Sequence, residues 1–254
     1  MHGIEKESWI RGRTRHMVFS FTFSQPEGKE YEMHPTSPSP ESGPALLQLN
    51  GPVPDFEAKT THGTIKLSEW NRDKWVILFS HPADFTPVCT TEFMAFAKLN
   101  DELEKRDVAL LGNSIDSVYS HIAWVRNIKA NFGIDIPFPI IADLDQQVAR
   151  KFGMIHEASS DTAAIRAVFF IDPARKLRAM IYYPLNVGRN FDEVLRVVDA
   201  LQTTDRHGVA CPADWKPGEK VIVPPPGTAP EAEARVQDTS LEVTDWYFSK
   251  KMVG

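Results

Sequence analysis

Two cysteines are all that 254 residues offer for thiol chemistry, and one of them stands where a thiol becomes reactive. Cys89 lies in HPADFTPVCTTEF (81–93), between an apolar β-prone run and a stretch that reads as a helix. In the first turn of a helix it meets unpaired backbone N–H groups and the positive end of the helix dipole, both of which favour an anion. Thr86 lies three residues upstream, so its hydroxyl can reach the sulfur or an oxygen bound beside it. Pro82 and Pro87 stiffen the loop and remove donors, which would wall a thiolate from bulk water. A cation is still needed. Arg166 is the one charge in IRAVFFI (165–171); an arginine in a core strand must meet an anion, and a thiolate at a neighbouring strand end qualifies. Plainer readings stand beside these. Cys89 could be a buried structural thiol, Arg166 a solvated charge on an edge strand, and His81 a satisfied loop histidine.

Composition narrows the chemistry from outside. At 42% hydrophobic and 24% charged residues the chain has the balance of an ordinary globular protein, long enough for a real core. A formal net charge of -6 argues against a nucleic-acid partner, because a phosphate-tracking surface needs excess Lys and Arg. No apolar run approaches the roughly 20 residues that span a bilayer, so no membrane partner is expected. The start, MHGIEKESWIRGRTRH, is charged, and MVFSFTF behind it is too short and polar for a signal sequence. Two cysteines are too few for a disulfide scaffold, neither belongs to a C-x-x-C pair, and no Cys/His cluster has zinc spacing. A reducing compartment, the cytoplasm, and a site without metal or cofactor are the expectation. An organelle address would have to lie in the leader.

The elements that must position Cys89 follow from periodicity. Residues 1–45 read as a flexible leader, with PTSPSPESGP (35–44) too rich in Pro and Ser to order itself and Phe19, Phe21 and Phe23 alternating as in a short strand. Strands are predicted at 75–79, 108–111 and 138–141, with helices at 88–106, 118–131 and 145–152. The last of these begins at Asp-Leu-Asp, which supplies N-cap chemistry. Strands 165–171 and 177–182 flank the turn Asp172-Pro173-Ala174-Arg175-Lys176, and a helix over 191–201 closes the core. This is an α/β sandwich around a mixed sheet, in thioredoxin-like order, over residues 46–210. Residues 211–254 form a proline-rich arm with an aromatic tail, unable to fold alone but able to lie across a second subunit.

HPADFTPVCTTEF resembles the active-site signature of the peroxiredoxins, and Arg166 in RAVFFID falls where that family has its active-site arginine. The resemblance runs from about Leu47 to the C-terminus, and DRHGVACPADWKPG (205–218) is similar to the C-terminal part of the one-cysteine group. It implies a peroxidase acting on hydrogen peroxide or alkyl hydroperoxides, with Cys89 attacking the peroxide and Thr86 orienting its oxygens. Arg166 would then stabilise the thiolate and transition state, Pro82 shield the pocket, Glu92 anchor Arg166, and His81 flank the site. It also implies a homodimer. Cys211 is the other cysteine and a possible resolving thiol, but the better expectation is an inert one, because only Lys216 lies near it in sequence to favour a thiolate. Some relatives carry a resolving cysteine after a C-terminal aromatic segment; here Trp246-Tyr247-Phe248 is followed by Ser249. An external thiol is therefore the expected reductant. The competing readings are a thioredoxin-type reductase, which would want C-x-x-C, a cysteine hydrolase, and a holdase chaperone or redox sensor using the same cysteine.

Overall fold

All six residues of Trp75–Ser80 are buried, which a strand achieves only at the centre of a sheet covered on both faces. The computed structural model describes residues 47–254, so the strand expected around Phe19 to Phe23 lies outside the described residues. The elements are β1 (Glu57–Thr60), β2 (Gly63–Lys66), α1 (Leu67–Trp70), β3 (Trp75–Ser80), α2 (Pro87–Glu104), β4 (Val108–Ser114) and α3 (Val118–Phe132), then β5 (Ile140–Ala142), α4 (Gln147–Lys151), β6 (Arg166–Ile171), β7 (Leu177–Tyr183) and α5 (Phe191–His207). Seven strands make one mixed sheet in the order β2-β1-β5-β4-β3-β6-β7. β3 runs parallel to β4 and antiparallel to β6.

Alternation along β3 splits the core into two layers. Val76 and Leu78 face Phe152, Met154 and Val148, on the side of α1 and α4. Ile77 and Phe79 face Phe93 and Phe96 of α2, Trp124 of α3 and Val194 of α5. Phe79 stacks on Phe96 at 4.0 Å and meets Phe93 edge-on at 5.4 Å, so α2 is locked over the strand that delivers the loop to it. Because β6 is antiparallel, with Phe79 opposite Val168, its first residue, Arg166, arrives at the end of β3 where the loop 81–86 departs.

The structure departs from the sequence expectations in four places. The hairpin β1–β2 is polar (EAKT, GTIK) and carries little periodic signal; it turns where Gly63 takes a φ of 106°. Helix α4 does begin on the Asp-Leu-Asp carboxylates, but its cap residue is Gln146; Asp143 accepts from Val148 N and Ala149 N at 3.0 and 2.7 Å. Helix α5 runs on to His207, where Gly208 in the left-handed region ends it. The largest addition concerns the arm. β8 (Val221–Val223), α6 (Ala229–Val236), β9 (Glu242–Asp245) and β10 (Phe248–Lys251) follow the core, and the strands form an antiparallel sheet in the order β8-β10-β9. Backbone pairing, with Val209, Trp215 and Val221 as a small core beneath it, orders a segment whose side chains alone predict no fold. No helix among the described residues is long and apolar enough to cross a membrane.

The start of α5 carries a measurable part of this architecture. Asn190 caps it by accepting from Asp192 N and Glu193 N at 3.0 and 3.3 Å. Asn190→Ala should lower unfolding free energy by about 1 kcal/mol with an unchanged denaturant slope, read by urea titration. No loss of stability would show that the cap is dispensable.

Candidate active site

Cys89 occupies the first turn of α2 and has no exposed surface. Pro87 takes the first helical position, where its missing N–H is no loss, and Thr86 precedes it in extended conformation. The chain reaches this point through Phe85, held at a φ of 55°, a left-handed conformation that costs a bulky residue on the order of 1 kcal/mol or more. Three bonds hold the loop against that cost. His81 N donates to Asn113 O at 3.0 Å, Asp84 N donates to Asp116 Oδ2 at 2.9 Å, and Thr86 Oγ1 donates to Ala83 O at 3.1 Å.

Arg166 Nη1 donates to Cys89 Sγ at 3.2 Å and to Glu92 Oε2 at 2.7 Å, while its Nε donates to Leu185 O at 2.9 Å. A second arginine, absent from the sequence reading, completes the cluster. Arg189 donates to the Glu92 carboxylate from Nη2 at 2.6 Å and from both Nε and its backbone N at 3.0 Å. Its guanidinium also lies over Phe79 and Phe96 at 5.2 and 5.5 Å. Glu92, Arg166 and Arg189 are all nearly or wholly buried. Two guanidiniums face one carboxylate, so the cluster holds one uncompensated positive charge in a medium that tolerates none cheaply. A thiolate at Cys89 would close that balance. Arg189 escapes notice in sequence because VGRNFDE reads as a polar loop ahead of a helix.

The other expected site residues fall at different distances from this centre. Thr86 lies three residues before Cys89, but its hydroxyl proton goes to Ala83 O rather than to the sulfur, leaving its lone pairs to meet a donor. Thr86 O in turn accepts from Thr90 N and Thr90 Oγ1. Pro82 is half-buried beside His81. His81 is wholly buried, its Nε2 at 2.9 Å from Asp84 Oδ1; burial pushes its pKa down, against the pull of Asp84. Asp84 and His121 join it in a cluster no sequence spacing reveals, with one ligand-type atom from each within 4.8 Å of the others. Those atoms are bonded to one another, so a metal there would have to displace ring protons.

Cys211 is not among these residues. It packs with Val209, Trp215 and Val221, a cluster separate from the one that holds Cys89, and its thiol faces Ala200 O at 3.8 Å. Burial pushes the Cys211 pKa up, while Arg196, not the expected Lys216, pulls the other way.

Residues 49–180 match the AhpC/TSA family, and residues 200–239 match the C-terminal domain of 1-Cys peroxiredoxin. A peroxiredoxin of Aquifex aeolicus is 58% identical over 219 residues, covering 82% of this chain and 98% of that protein. Peroxiredoxin 2 of Caldanaerobacter subterraneus subsp. tengcongensis is 52% identical over 209 residues, covering 82% and 94%. Among solved structures, yeast mitochondrial 1-Cys peroxiredoxin, described with thiol resolution through glutathione and thioredoxin systems, has a TM-score of 0.71 and 42% identity over 81% of this chain and 100% of its own. A cysteine-to-serine mutant of peroxiredoxin 6 of Arenicola marina has a TM-score of 0.73 and 40% identity over 81% and 97%. A disulfide reductase, a hydrolase or a chaperone is not favoured beside these matches. The chain belongs to the peroxiredoxin family, with its thioredoxin-like fold, and is a thiol-dependent peroxidase.

Proposed function

We propose that this peroxidase works through Cys89 alone and returns the oxidised sulfur to the thiol with an external thiol reductant. The observation that carries this reading is Arg166 Nη1 at 3.2 Å from Cys89 Sγ, inside a buried cluster with one positive charge to spare. The thiolate attacks the terminal oxygen of ROOH in line with the O–O bond. An S–O bond forms as O–O breaks, sulfur gives up two electrons, and RO⁻ leaves and takes a proton to become ROH. Negative charge grows on both oxygens in the transition state. Arg166 and the free N–H groups at the start of α2 are fixed donors placed to meet it. Thr86, with its own proton held by Ala83 O, presents lone pairs to a peroxide O–H and orients it. Glu92 anchors Arg166, Pro82 keeps water out, and His81 lines the loop behind them.

The sulfenic acid then condenses with an external thiol, releasing water, and a second thiol breaks the mixed disulfide to restore Cys89. Cys211 takes no part in this cycle: it packs in a different cluster, is half-buried, and has a thiol that burial holds protonated. The three parts of the chain are then a leader (1–45), a peroxidase domain (46–210) and an arm (211–254). The last boundary is one of sequence texture, and the small core of Val209, Trp215 and Val221 spans it and ties the arm to the domain. We assign the arm to a homodimer contact, because Trp246, Tyr247 and Phe248 are 43%, 56% and 37% exposed at the β9–β10 turn. A cytoplasmic setting, with its supply of reduced thiols, suits this cycle.

Removing one oriented hydrogen-bonding group from such a site costs about a hundred- to a thousandfold in rate. Thr86→Val, which loses an acceptor, and Arg166→Met, which loses a donor, should therefore fold yet lose that much in stopped-flow peroxide reduction; an unaltered rate in either would remove that residue from the peroxide-orienting set. Stoichiometric peroxide followed by peptide mass spectrometry should show the first oxygen on Cys89. Non-reducing gels should show no Cys89–Cys211 crosslink, and Cys211→Ser should turn over normally with glutathione or a thioredoxin system. A crosslink that vanishes in Cys211→Ser, together with lost turnover, would make Cys211 the resolving residue instead. Light scattering at micromolar concentration should report a dimer, and a monomer would remove the arm's assigned role.

A further inference from the structure

Within and behind the peroxide-reactive loop, three buried residues, two from the loop and one from α3, face one another. His81 follows β3, Asp84 lies in the loop and His121 in α3. Asp84 Oδ1 is 2.9 Å from His81 Nε2, and Asp84 Oδ2 is 2.8 Å from His121 Nδ1. On its far side His121 Nε2 is 3.1 Å from Ile141 O. A carbonyl oxygen can only accept, and so can a carboxylate. Burial acts to raise the pKa of Asp84, but the bonds from His121 and His81 outweigh it and hold the group well below the usual carboxylate range, so it is ionised. Both ring nitrogens of His121 therefore need hydrogens. His81 gives its Nε2 hydrogen to the carboxylate, and its Nδ1 is buried with no partner among the described residues.

We propose that Asp84 and His121 are positioning residues for the peroxidatic loop: a buried carboxylate–imidazolium pair that locks His81 as the neutral tautomer protonated on Nε2, with Nδ1 bare. The inference rests on the reading of Cys89 as the peroxide-reactive thiol. The pair holds the loop from α3, and α3 also reaches the first turn of α2. Trp124 Nε1 donates to Thr90 Oγ1 at 3.3 Å, and Thr90 Oγ1 donates to Thr86 O at 2.8 Å. The His81 ring packs 4.7 Å from Phe93, one helical turn beyond Cys89, and 5.1 Å from Trp124. The remaining charged neighbour is Asp116, whose Oδ2 accepts from Asp84 N and Ser114 Oγ. One imidazolium, one neutral imidazole and the two carboxylates of Asp84 and Asp116 thus fix the height at which Thr86 and Cys89 follow the loop. An ångström of misplacement costs up to about a hundredfold in rate.

The test is two-bond ¹⁵N–¹H NMR of the full chain labelled with ¹⁵N-histidine at pH 7.5, with assignments from His81→Gln and His121→Gln, paired with stopped-flow oxidation of Cys89. The wild-type spectrum should show His121 protonated on both ring nitrogens and His81 on Nε2 alone. Asp84→Asn should lose the imidazolium signature of His121, mix the tautomers of His81 and slow Cys89 oxidation by about ten- to a hundredfold. A single ring proton on His121, or Nδ1–H on His81, in a wild-type chain that still reacts would overturn this inference alone. A folded Asp84→Asn with the wild-type rate would do so too. The expected spectra in a chain whose Cys89 ignores peroxide would overturn the underlying reading as well. Should Asp84→Asn fail to fold, the wild-type spectrum alone decides.

Discussion

Glu92 accepts hydrogen bonds from Arg166 and Arg189 inside a core where neither guanidinium has water to fall back on. Breaking one partner of a buried ion pair costs about 3–5 kcal/mol, because the charge left behind is stranded. This one carboxylate therefore ties three separate parts of the chain: α2, the first residue of β6, and the segment ahead of α5. The aromatic packing of Phe79 against Phe96 and Phe93 is the apolar counterpart of the same tie. With α2 fixed in both ways, Cys89 is held against Arg166 in the closed site. The geometry that serves the chemistry is thus the geometry that keeps the core closed.

The loop ahead of Cys89 obeys a second constraint of the same kind. A left-handed Phe85 would relax if its neighbours let it. They do not, since the backbone N–H groups of His81 and Asp84 donate to Asn113 O on the neighbouring β4 and to Asp116 Oδ2 just beyond it. Strain in the loop is held by the ends of β3 and β4, which are the most deeply buried strands beside β6.

Some of this is legible in the sequence, for physical reasons. Arg166 stands out because a single charge in IRAVFFI has nowhere to go but toward an anion, and Cys89 because a proline-bounded strand–helix junction is an unusual place for a thiol. The central strands and the helices α2 and α3 announce themselves by apolar periodicity. Arg189, Asp84 and His121 do not, because each gains its meaning only from partners elsewhere in the chain. His121 lies 37 residues from Asp84, and Arg189 lies 97 from Glu92. The C-terminal sheet is hidden for a different reason. The Val221-Ile222-Val223 run of β8 is visible in the sequence, but three- and four-residue strands are too short for a periodic signal and their pairing leaves no side-chain trace.

With Cys89 as the proposed peroxide-reactive thiol, its complete burial divides the catalytic cycle by the size of the reactant. A sulfur with no surface can be reached only when the loop or the first turn of α2 opens, and the opening must be wider for a thiol tripeptide or a protein than for hydrogen peroxide. Such openings carry their own free energy, distinct from that of global unfolding. Recycling is then gated by how far the site breathes, whereas peroxide capture needs only a narrow excursion. The same closed door keeps bulky electrophiles from a sulfur that is otherwise built to react, so reactivity and selectivity share one structural origin.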